Sequence, residues 1–318
     1  MTSQTNIKLQ DCNQKTKNIK DNLLAQADKL FRQTNQHSIK TRYRYYAAEE
    51  RFAEFLAEKY KLQKLKNIKG RHLEEYVKYL KETGKSPSTI KTDLAGIRFF
   101  HELSESRNKL PNNDKLDIEK REIGKLDRSW TEKEYKKAID IAYSMGRMDV
   151  ALGMKMAYNY GLRIEEVCRC QVSHLIEAKN MDYLYVKGKN GQVRGVSIDE
   201  TEKKKLLEDL LEYAKKENRK GTDRVLFDNY KSATQKEKKA IENWISNHRW
   251  KFQNEERNLS SNKISNLNFH GLRHTYAQNE YNNYIENQMN ENLAKKKVSE
   301  QLGHHRKEVT KVYLTSEN

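Results

Sequence analysis

Proline stands at only two positions in this chain of 318 residues, Pro87 and Pro111. Because proline lacks a backbone N–H donor and clashes with the preceding helical turn, its scarcity leaves few points at which a helix must end. The apolar residues agree with this, since they recur at spacings of three and four residues in several stretches. We therefore expect a mainly α-helical protein.

Four amphipathic segments follow one another in the first part of the chain. Their apolar stripes run over 22–32, 45–56, 73–80 and 90–100. The fourth has a clear start, because Ser86 can cap its first turn and Pro87 suits the first helical position. Since each stripe must be buried, residues 37–107 are predicted to form a small helical domain behind a polar leader, 1–36, which carries one short helix.

A second domain is expected from residue 129 onward. Periodicity is lost near residue 108, and a basic, polar stretch continues to 128, so 108–128 is predicted to be a linker. Thr131 and Glu134 have the spacing of a capping box and open a new helix. Two β-prone runs, 183–187 and 193–198, then flank an Asn-Gly pair, which is a strong hairpin signal. Residues 129–318 are therefore predicted to be an α+β domain with a small sheet.

The chain carries a formal net charge of +17. Such an excess favours a polyanionic partner, most often nucleic acid or an anionic membrane surface. No stretch approaches the roughly 20 apolar residues of a spanning helix, and the first residues lack the apolar core of a signal peptide. We therefore expect a cytoplasmic protein that binds nucleic acid and not a membrane.

The three cysteines, Cys12, Cys168 and Cys170, are an odd number in a chain without an export signal, so no disulfide framework is expected. Cys168 and Cys170 stand near His174, but no second Cys/His pair has zinc-finger spacing. Buried or idle thiols are the better interpretation. No metal and no cofactor is predicted.

Two motifs in the second domain place basic residues where they could bind an anion. In the first, Arg163 lies in an apolar helical run with Glu166 one turn away to hold it. In the second, the predicted hairpin, strand periodicity places Lys187 and Lys189 on one face. Each motif alone is most often an ordinary surface feature.

The third motif, HGLRH, covers residues 270–274. On a helix, His270 and Arg273 share a face and can reach one anion, and His274 lies near His270 as well. By itself a His-x-x-Arg pattern is common by chance.

The fourth motif lies near the C-terminus, where His304 and His305 precede Tyr313. On an unbroken helix, nine residues at about 100° each would leave His304 and Tyr313 on opposite sides. Gly303 stands where a helix would need a left-handed C-terminal residue. We therefore expect the chain to bend after Gly303 and to bring Tyr313 round.

Together, these side chains form a coherent set for chemistry on a phosphodiester. Arginine binds two phosphate oxygens in one plane, and histidine adds hydrogen-bond donors or a proton relay. Phosphoryl transfer depends on positioning and charge stabilisation, which such a cage supplies without a metal. A tyrosine is then the candidate nucleophile, and a lysine is the candidate acid for the leaving oxygen.

In order and spacing, the motifs resemble those of the tyrosine recombinase (phage integrase) family. The family pattern is matched by Gly161-Leu162-Arg163, by Gly188-Lys189 in the hairpin, by residues 270–274 and by Leu302-Gly303-His304 followed nine residues later by Tyr313. The resemblance covers roughly residues 37–314, because the N-terminal helices also look like the family's core-binding (SAM-like) DNA domain.

The resemblance implies that three side chains bind the scissile phosphate. Arg163 and Arg273 would hold it, and His304 would donate to the same oxygens. Glu166 is similar to the family's acidic residue near the first arginine and would support that arginine.

The resemblance also implies the roles in covalent chemistry. Tyr313 would attack the phosphate to give a 3′-phosphotyrosine, with His270 as base or hydrogen-bond partner. Lys189 would protonate the departing 5′ oxygen, although Lys187 is a rival for this role. Lys189 is preferred because it follows the glycine, as in the family. Neither ATP nor a metal is required by the family's chemistry.

At the level of the whole protein, the resemblance implies a C-shaped clamp with one domain on each side of double-stranded DNA. Lys85, Lys91 and Arg98, at the start of the fourth helix and along it, are predicted DNA contacts. The function would be site-specific recombination, for integration or excision of a mobile element. The partners would be two DNA sites, a homotetramer assembled on them and accessory DNA-bending proteins.

Two departures from the family pattern concern the C-terminal part. An Asn-rich stretch, 279–292, looks longer than the usual connection and is expected to be a surface loop. Five residues, 314–318, follow Tyr313. Exchange of a C-terminal segment between protomers is therefore expected to use other surfaces or to be slight.

Two alternatives remain open. A type IB topoisomerase shares the phosphotyrosine chemistry, but that family tends to carry lysine where this chain has His270. A recombinase-like clamp that only binds DNA would have no need of all six motif positions.

Overall fold

The chain divides into two compact units, Met1–Arg121 and Glu122–Asn318. The structure, a computed structural model, describes residues 3–120, 127–188, 191–198, 200–227, 233–255, 257, 266–303 and 313. Within these residues both units are mainly helical, and the second also contains a two-stranded sheet, so the predicted fold class is confirmed. None of the helices described has both the length and the apolar character needed to cross a membrane.

The first unit is built from α1 (Ser3–Gln33), α2 (Ile39–Tyr60), α3 (Gly70–Glu82) and α4 (Pro87–Leu103). Ser86 caps α4, because its Oγ accepts a hydrogen bond from the backbone N–H of Thr89 at 3.2 Å. The predicted start of this helix is therefore confirmed. Arg51 of α2 and Asp93 of α4 form a two-pronged ion pair that ties the two helices together, with bonds of 2.7 and 3.2 Å.

The N-terminal helix is longer than its apolar stripe. The stripe predicted a helix over 22–32, whereas α1 covers Ser3–Gln33. Lysine and glutamine, which are frequent in the earlier turns, lose little rotamer freedom in a helix, so helical structure extends beyond the apolar residues. Leu23 and Ala27 are fully buried in the core of the first unit, so the segment predicted as a leader contributes to that core.

The segment after α4 also packs on the first unit. Leu116 is buried in the same core. The guanidinium of Arg98 donates to the backbone oxygen of Pro111 at 2.7 Å and to Oδ1 of Asn113 at 2.9 Å. The boundary between the units, after Arg121, therefore falls inside the predicted linker, 108–128, and residues up to 120 belong to the first unit.

The second unit contains α5 (Glu132–Ser144), α6 (Met148–Tyr160), α7 (Ile164–Arg169), α8 (Val172–Met181), α9 (Thr201–Lys216), α10 (Ala233–His248), α11 (Phe269–Glu286) and α12 (Glu291–Gln301). The predicted capping box opens α5. The backbone N–H of Thr131 donates to Oε2 of Glu134 at 2.9 Å, and that of Glu134 donates to Oγ1 of Thr131 at 3.2 Å.

The predicted hairpin is present between α8 and α9. Its strands, β1 (Tyr183–Lys187) and β2 (Val193–Ser197), are antiparallel, with Tyr183 opposite Ser197 and Lys187 opposite Val193. Along β1 the odd-numbered residues are exposed and the even-numbered ones are buried. Lys187 therefore lies on the outer face of the sheet.

Two apolar clusters organise the second unit. The larger one joins α5 to α10 with the inner face of the sheet and includes Trp130, Tyr160 and Trp244. The smaller one lies where α11 meets α12, and it consists of Tyr276, Ala277, Tyr281, Ala294, Val298, Leu302 and Tyr313. The smaller cluster thus buries the C-terminal tyrosine against the two last helices.

The Asn-rich stretch is not the predicted surface loop over most of its length. α11 continues through Glu286 and α12 begins at Glu291, so the prediction for 279–292 is wrong over 279–286 and 291–292. Glu280 and Tyr281 are buried, because helical spacing from Tyr276 and Ala277 places them against neighbouring helices. Residues 287–290 alone connect α11 to α12.

Cys168 and Cys170 are free thiols in the interior, as predicted. Burial raises the pKa of both thiols to about 12, so both stay protonated at neutral pH. Within the described ranges, no three side chains of His, Cys, Asp or Glu come together as a metal site would require.

Candidate active site

Arg163 stands at the junction of two helices. α6 ends at Tyr160, and Gly161 adopts a left-handed conformation (φ 61°) that turns the chain. Arg163 then caps α7: its backbone N–H donates to Oε2 of Glu166 at 2.8 Å, and its Nη1 donates to Oε1 at 2.9 Å. The predicted contact between Arg163 and Glu166 is confirmed, but it lies at a helix start and not inside a helix.

Arg273 lies in the first turns of α11 and is completely buried. Its guanidinium donates to the backbone oxygens of Gly161 and Leu302. Nη2 of Arg163 donates to the same oxygen of Leu302 at 3.4 Å. Two arginines that are far apart in the sequence therefore converge on one acceptor. Burial and the charge of Arg163 lower the pKa of Arg273 to about 10, so the group remains protonated at neutral pH.

The carboxylate of Glu166 lies at the centre of the arginine cluster. Arg194 binds it with both terminal nitrogens, at 2.9 and 2.7 Å, and Nη1 of Arg273 lies 3.9 Å from Oε2. Burial would raise the pKa of Glu166, but the bonds from Arg194, the backbone of Arg163 and the charge of Arg273 outweigh it and lower the pKa to about 2. One negative charge thus holds three guanidinium groups.

Sequence reasoning missed Arg194. The signal was strand alternation: Leu184 and Val186 on β1 and Val196 on β2 point inward, and Arg194 shares this inner face. An arginine at an inward strand position needs a buried anion. Glu166, already expected beside Arg163, is that anion.

Tyr313 lies directly beside the HGLRH motif. Its Oη lies 3.3 Å from Nε2 of His270, and its backbone oxygen accepts from Nε2 of Gln278 at 3.2 Å. The phenol also lies close enough to Arg273 that its negative form would raise the pKa of that arginine. The structure therefore brings together Tyr313, His270, Arg273 and Arg163, four of the predicted catalytic residues.

His270 is held in its neutral form. Burial among protein atoms and the charges of Arg273, Arg128 and Arg163 lower its pKa to about 4. By surface area, however, the side chain of His270 is exposed to solvent, so the three positive charges are the firmer cause of the lowered pKa. In the tautomer with its proton on Nδ1, Nε2 can accept the phenolic proton of Tyr313.

His274 is a second imidazole beside Tyr313. Its ring centroid lies 4.3 Å from that of Tyr313 and 5.2 Å from that of His270. It is fully buried, and neither ring nitrogen has a hydrogen-bond partner among the residues described. Burial, together with the charges of His270, Arg128 and Arg273, lowers its pKa to about 3. Sequence reasoning noted His274 only as a neighbour of His270.

The end of α12 delivers the carbonyl that both arginines bind. Gly303 has φ 64°, so the predicted left-handed residue after the helix is confirmed. A polar network holds this end in place. Nε2 of Gln301 donates to Oε2 of Glu280 at 3.0 Å and to Oη of Tyr284 at 2.8 Å, and the buried Lys203 donates to Oε1 of Glu280 at 2.8 Å.

Two predicted catalytic residues, Lys189 and His304, lie outside the described residues, and their roles stay predictions. Lys187, the rival of Lys189, is exposed at the end of β1. The backbone N–H of Gly188 donates to the oxygen of Gln192 at 2.7 Å and begins the hairpin turn there.

The three predicted DNA contacts differ in their surroundings. Lys85 is exposed before the start of α4. Nζ of Lys91 donates to the backbone oxygen of Glu119 at 2.7 Å. Arg98 is engaged with the segment after α4, and burial lowers its pKa. Lys91 and Arg98 therefore hold the chain after α4 in place, and DNA contact stays a prediction for all three.

A cleft of about 510 Å³ opens beside the arginine cluster. Arg163 and His270 line one side of it. The other side is formed by α10 and the turn that follows, where Lys238, Ser246 and Arg249 line the cleft. The cleft therefore joins the candidate catalytic groups to a further basic surface.

Two models of known protein families match the chain. Residues 128–318 match the model of the phage integrase family, and residues 23–108 match that of the phage integrase N-terminal SAM-like domain. No curated protein sequence matches the chain.

Solved structures of recombinases share the fold. A lambda integrase tetramer bound to a Holliday junction superposes with a TM-score of 0.64 at 16% identity, covering 92% of this chain and 78% of that one. The XerH site-specific recombinase bound to its difH substrate gives 0.56 at 21% identity, covering 91% and 80%. The Tn1549 transposon integrase in complex with transposon right end DNA gives 0.59 at 15% identity, covering 93% and 96%.

Proposed function

Because the chain belongs to the phage integrase family of DNA breaking-rejoining enzymes, we propose that it is a site-specific tyrosine recombinase that cleaves DNA through a 3′-phosphotyrosine at Tyr313. The observation that carries the proposal is the 3.3 Å separation of Tyr313 Oη from Nε2 of His270. A phenol needs a nearby base to become a nucleophile at neutral pH, and this imidazole is neutral.

In the proposed complex, Arg163 and Arg273 bind the non-bridging oxygens of the scissile phosphate. Their convergence on the carbonyl of Leu302 supports this, because it demonstrates that both guanidinium groups can reach one oxygen. Donors held in place before the reaction stabilise charge in the transition state without a reorganisation cost. Glu166 and Arg194 hold these donors, since Glu166 bonds directly to Arg163 and Arg194 fills its other lone pairs.

The proposed reaction is one in-line displacement. Oη of Tyr313 forms a bond to phosphorus while its proton passes to Nε2 of His270, and the bond from phosphorus to the 5′ oxygen breaks. Lys189, with Lys187 as its rival, gives the 5′ oxygen a proton, and His304 donates to the phosphate oxygens. These three roles rest on the sequence motifs. A 5′-hydroxyl of the partner duplex then attacks the phosphotyrosine and releases Tyr313, so no ATP is consumed.

We further propose that the protein acts in the cytoplasm as a homotetramer on two duplex sites, integrating or excising a mobile element, with accessory DNA-bending proteins as further partners. The net charge of +17 supports a DNA partner. The lambda integrase tetramer on a Holliday junction and the Tn1549 integrase on transposon end DNA, which share the fold, support the assembly and the element.

The test is covalent trapping on duplexes that tile the DNA flanking the protein's own gene, each nicked so that the cleaved end is lost. We expect wild type to form a denaturant-resistant adduct with one of them, and Tyr313→Phe to form none. Tyr183→Phe, a change to an exposed tyrosine on the outer face of β1, should behave as wild type. An equal adduct from Tyr313→Phe would refute the assignment of the nucleophile.

The same preparation distinguishes the alternatives. Relaxation of a supercoiled plasmid without sequence preference would favour a topoisomerase. DNA binding without any adduct on any duplex would favour a non-catalytic clamp. A recombinase should instead give an adduct at one sequence and join it to a second duplex that supplies a 5′-hydroxyl.

A further inference from the structure

Trp250 is the most exposed large hydrophobic side chain in the part of the chain that the structure describes. The sequence has three tryptophans, and Trp130 and Trp244 are buried, whereas Trp250 is 75% exposed. A single exposed apolar residue needs no explanation in itself. The surroundings of this indole are what point to a partner.

The turn that carries Trp250 is rigidly anchored. It is a short 3-10 turn, Arg249–Lys251, directly after α10. The next residue, Phe252, is buried and stacks on Trp130 at 5.4 Å and on Trp244 at 6.1 Å between ring centroids. Because the backbone on this side is already ordered, the indole can bind a partner at a small entropic cost.

The same aromatic group ties the turn to the catalytic helix. Nε1 of Trp130 donates to the backbone oxygen of Asn268 at 2.9 Å. Asn268 is the N-cap of α11, which carries His270 and Arg273. The position of Trp250 is therefore set relative to the candidate catalytic groups through packed side chains, not through a loop.

The charges around Trp250 indicate what the partner is. Nζ of Lys251 lies 5.4 Å from the centre of the indole ring. Arg249, which precedes Trp250 in the chain, donates to Oγ of Ser246 at 2.8 Å and lines the cleft that Arg163 and His270 also line. An indole with a cation on each side of it in the sequence suits a partner that alternates anionic groups with flat or apolar rings. A nucleic acid strand has this alternation of phosphate with deoxyribose and base.

We propose that Arg249, Trp250 and Lys251 form a DNA contact that binds the strand next to the scissile phosphate. The indole packs on a deoxyribose or base edge, and the two cations bind the phosphates on either side. The inference rests on the proposed function, because it takes duplex DNA as the occupant. Its consequence is that the strand is fixed beside the cleft while Tyr313 attacks.

Tryptophan emission tests the contact directly. Titration with acrylamide, a neutral quencher, should quench wild type mainly through Trp250, because the other two indoles are buried. Adding a mixed-sequence DNA duplex to the full-length Tyr313→Phe protein, which cannot cleave, should reduce this quenching. The same protein with Trp250→Phe should show little quenching with or without DNA.

Affinity for the same duplex gives a second readout. Trp250→Ala should weaken binding about fivefold, at the lower end of the range for an aromatic ring against nucleic acid, and Trp250→Phe should retain most of the affinity. Lys251→Gln should lower the slope of log K against log salt by about 1. Lys216→Gln, at an exposed lysine of α9 paired with Glu212 at 2.9 Å, is the matched control and should change neither quantity.

The outcomes separate this inference from the proposed function. If wild type forms its covalent adduct but Trp250 stays equally accessible to acrylamide in the complex, the DNA contact is refuted and the recombinase stands. If Trp250→Ala binds the duplex as tightly as wild type, the DNA contact is likewise refuted and the recombinase stands. If wild type neither binds duplex DNA nor forms an adduct, both proposals fall.

Discussion

Tyr313 and His270 form the central contact of the candidate site, with Oη of the tyrosine 3.3 Å from Nε2 of the histidine. Burial and three arginines lower the pKa of His270 to about 4, so the ring is neutral at physiological pH. The proposed nucleophile therefore lies beside its proposed base in the DNA-free protein. Several consequences of this arrangement can be measured.

Replacing His270 should remove the base without removing DNA binding. We expect His270→Gln to lower the single-turnover rate of cleavage about 10²- to 10⁴-fold, the usual contribution of general base catalysis, with little change in affinity for the duplex. His248→Gln, at a histidine whose Nδ1 bonds to the backbone oxygen of Trp244, should cleave as wild type. Cleavage by His270→Gln at the wild-type rate would exclude the base role.

The pH dependence of cleavage should follow the lowered pKa of His270. Only the neutral ring can accept a proton, so activity is present above the pKa and lost as the pH falls through it. With a pKa of about 4 for His270 in the free protein, kcat/KM should stay constant from pH 7 to about 5.5. An ordinary histidine, with a pKa of about 6.5, would already be mostly protonated at about pH 5.5. An acid limb centred near 6.5 would contradict the assignment.

The Glu166–Arg194 pair should be strongly coupled. Glu166→Gln leaves the buried Arg194 and Arg273 without their carboxylate, and breaking a buried ion pair costs about 3–5 kcal/mol of unfolding free energy. Adding Arg194→Met should recover part of this loss, because one uncompensated charge disappears. Urea unfolding can be followed by tryptophan emission, since all three tryptophans lie in the second unit. Simple additivity of the two changes would show that the pair is not coupled.

His274 should make the second unit sensitive to acid. Its pKa is about 3 when folded and about 6.5 when unfolded, so between these values the unfolded state binds the extra proton. Stability is then fully present above pH 6.5 and falls as the pH drops toward 3, by up to about 1.4 kcal/mol per pH unit. His274→Phe keeps a ring against Tyr313 and should flatten this dependence in urea unfolding. An unchanged slope would place the acid sensitivity elsewhere.

Gly303 should tolerate no ordinary side chain. Its φ of 64° is left-handed, which costs other residues about 1–2 kcal/mol, and a Cβ there would lie 3.1 Å from Cδ of Arg194. Gly303→Ala should therefore destabilise the second unit and slow cleavage, because this turn positions the carbonyl of Leu302 that both arginines bind. Gly303→Asn should be milder, since asparagine adopts this conformation more readily. Equal stability of Gly303→Ala and wild type would refute the argument.

Sequence spacing predicted most elements correctly and failed where burial depends on distant neighbours. The hairpin, the cap at Ser86 and the capping box at Thr131 are local, so their residues alone suffice. The Asn-rich stretch, 279–292, is predicted to be a loop because its composition is typical of loops, but most of it is helical. Glu280, in that stretch, is nevertheless held by Lys203, which lies 77 positions earlier.

By itself, the sequence determined the helical character, the order of the two domains and the residue types of the candidate catalytic set, because these depend on spacings of a few residues. Only the tertiary structure decided that Arg194 shares Glu166 with Arg163, that His274 lies against Tyr313 and that Trp250 is exposed next to Arg249 of the cleft. The contact between Arg163 and Leu302 likewise joins positions that are 139 apart in the sequence. No local periodicity encodes such pairs, because burial and charge compensation are settled only when the helices pack.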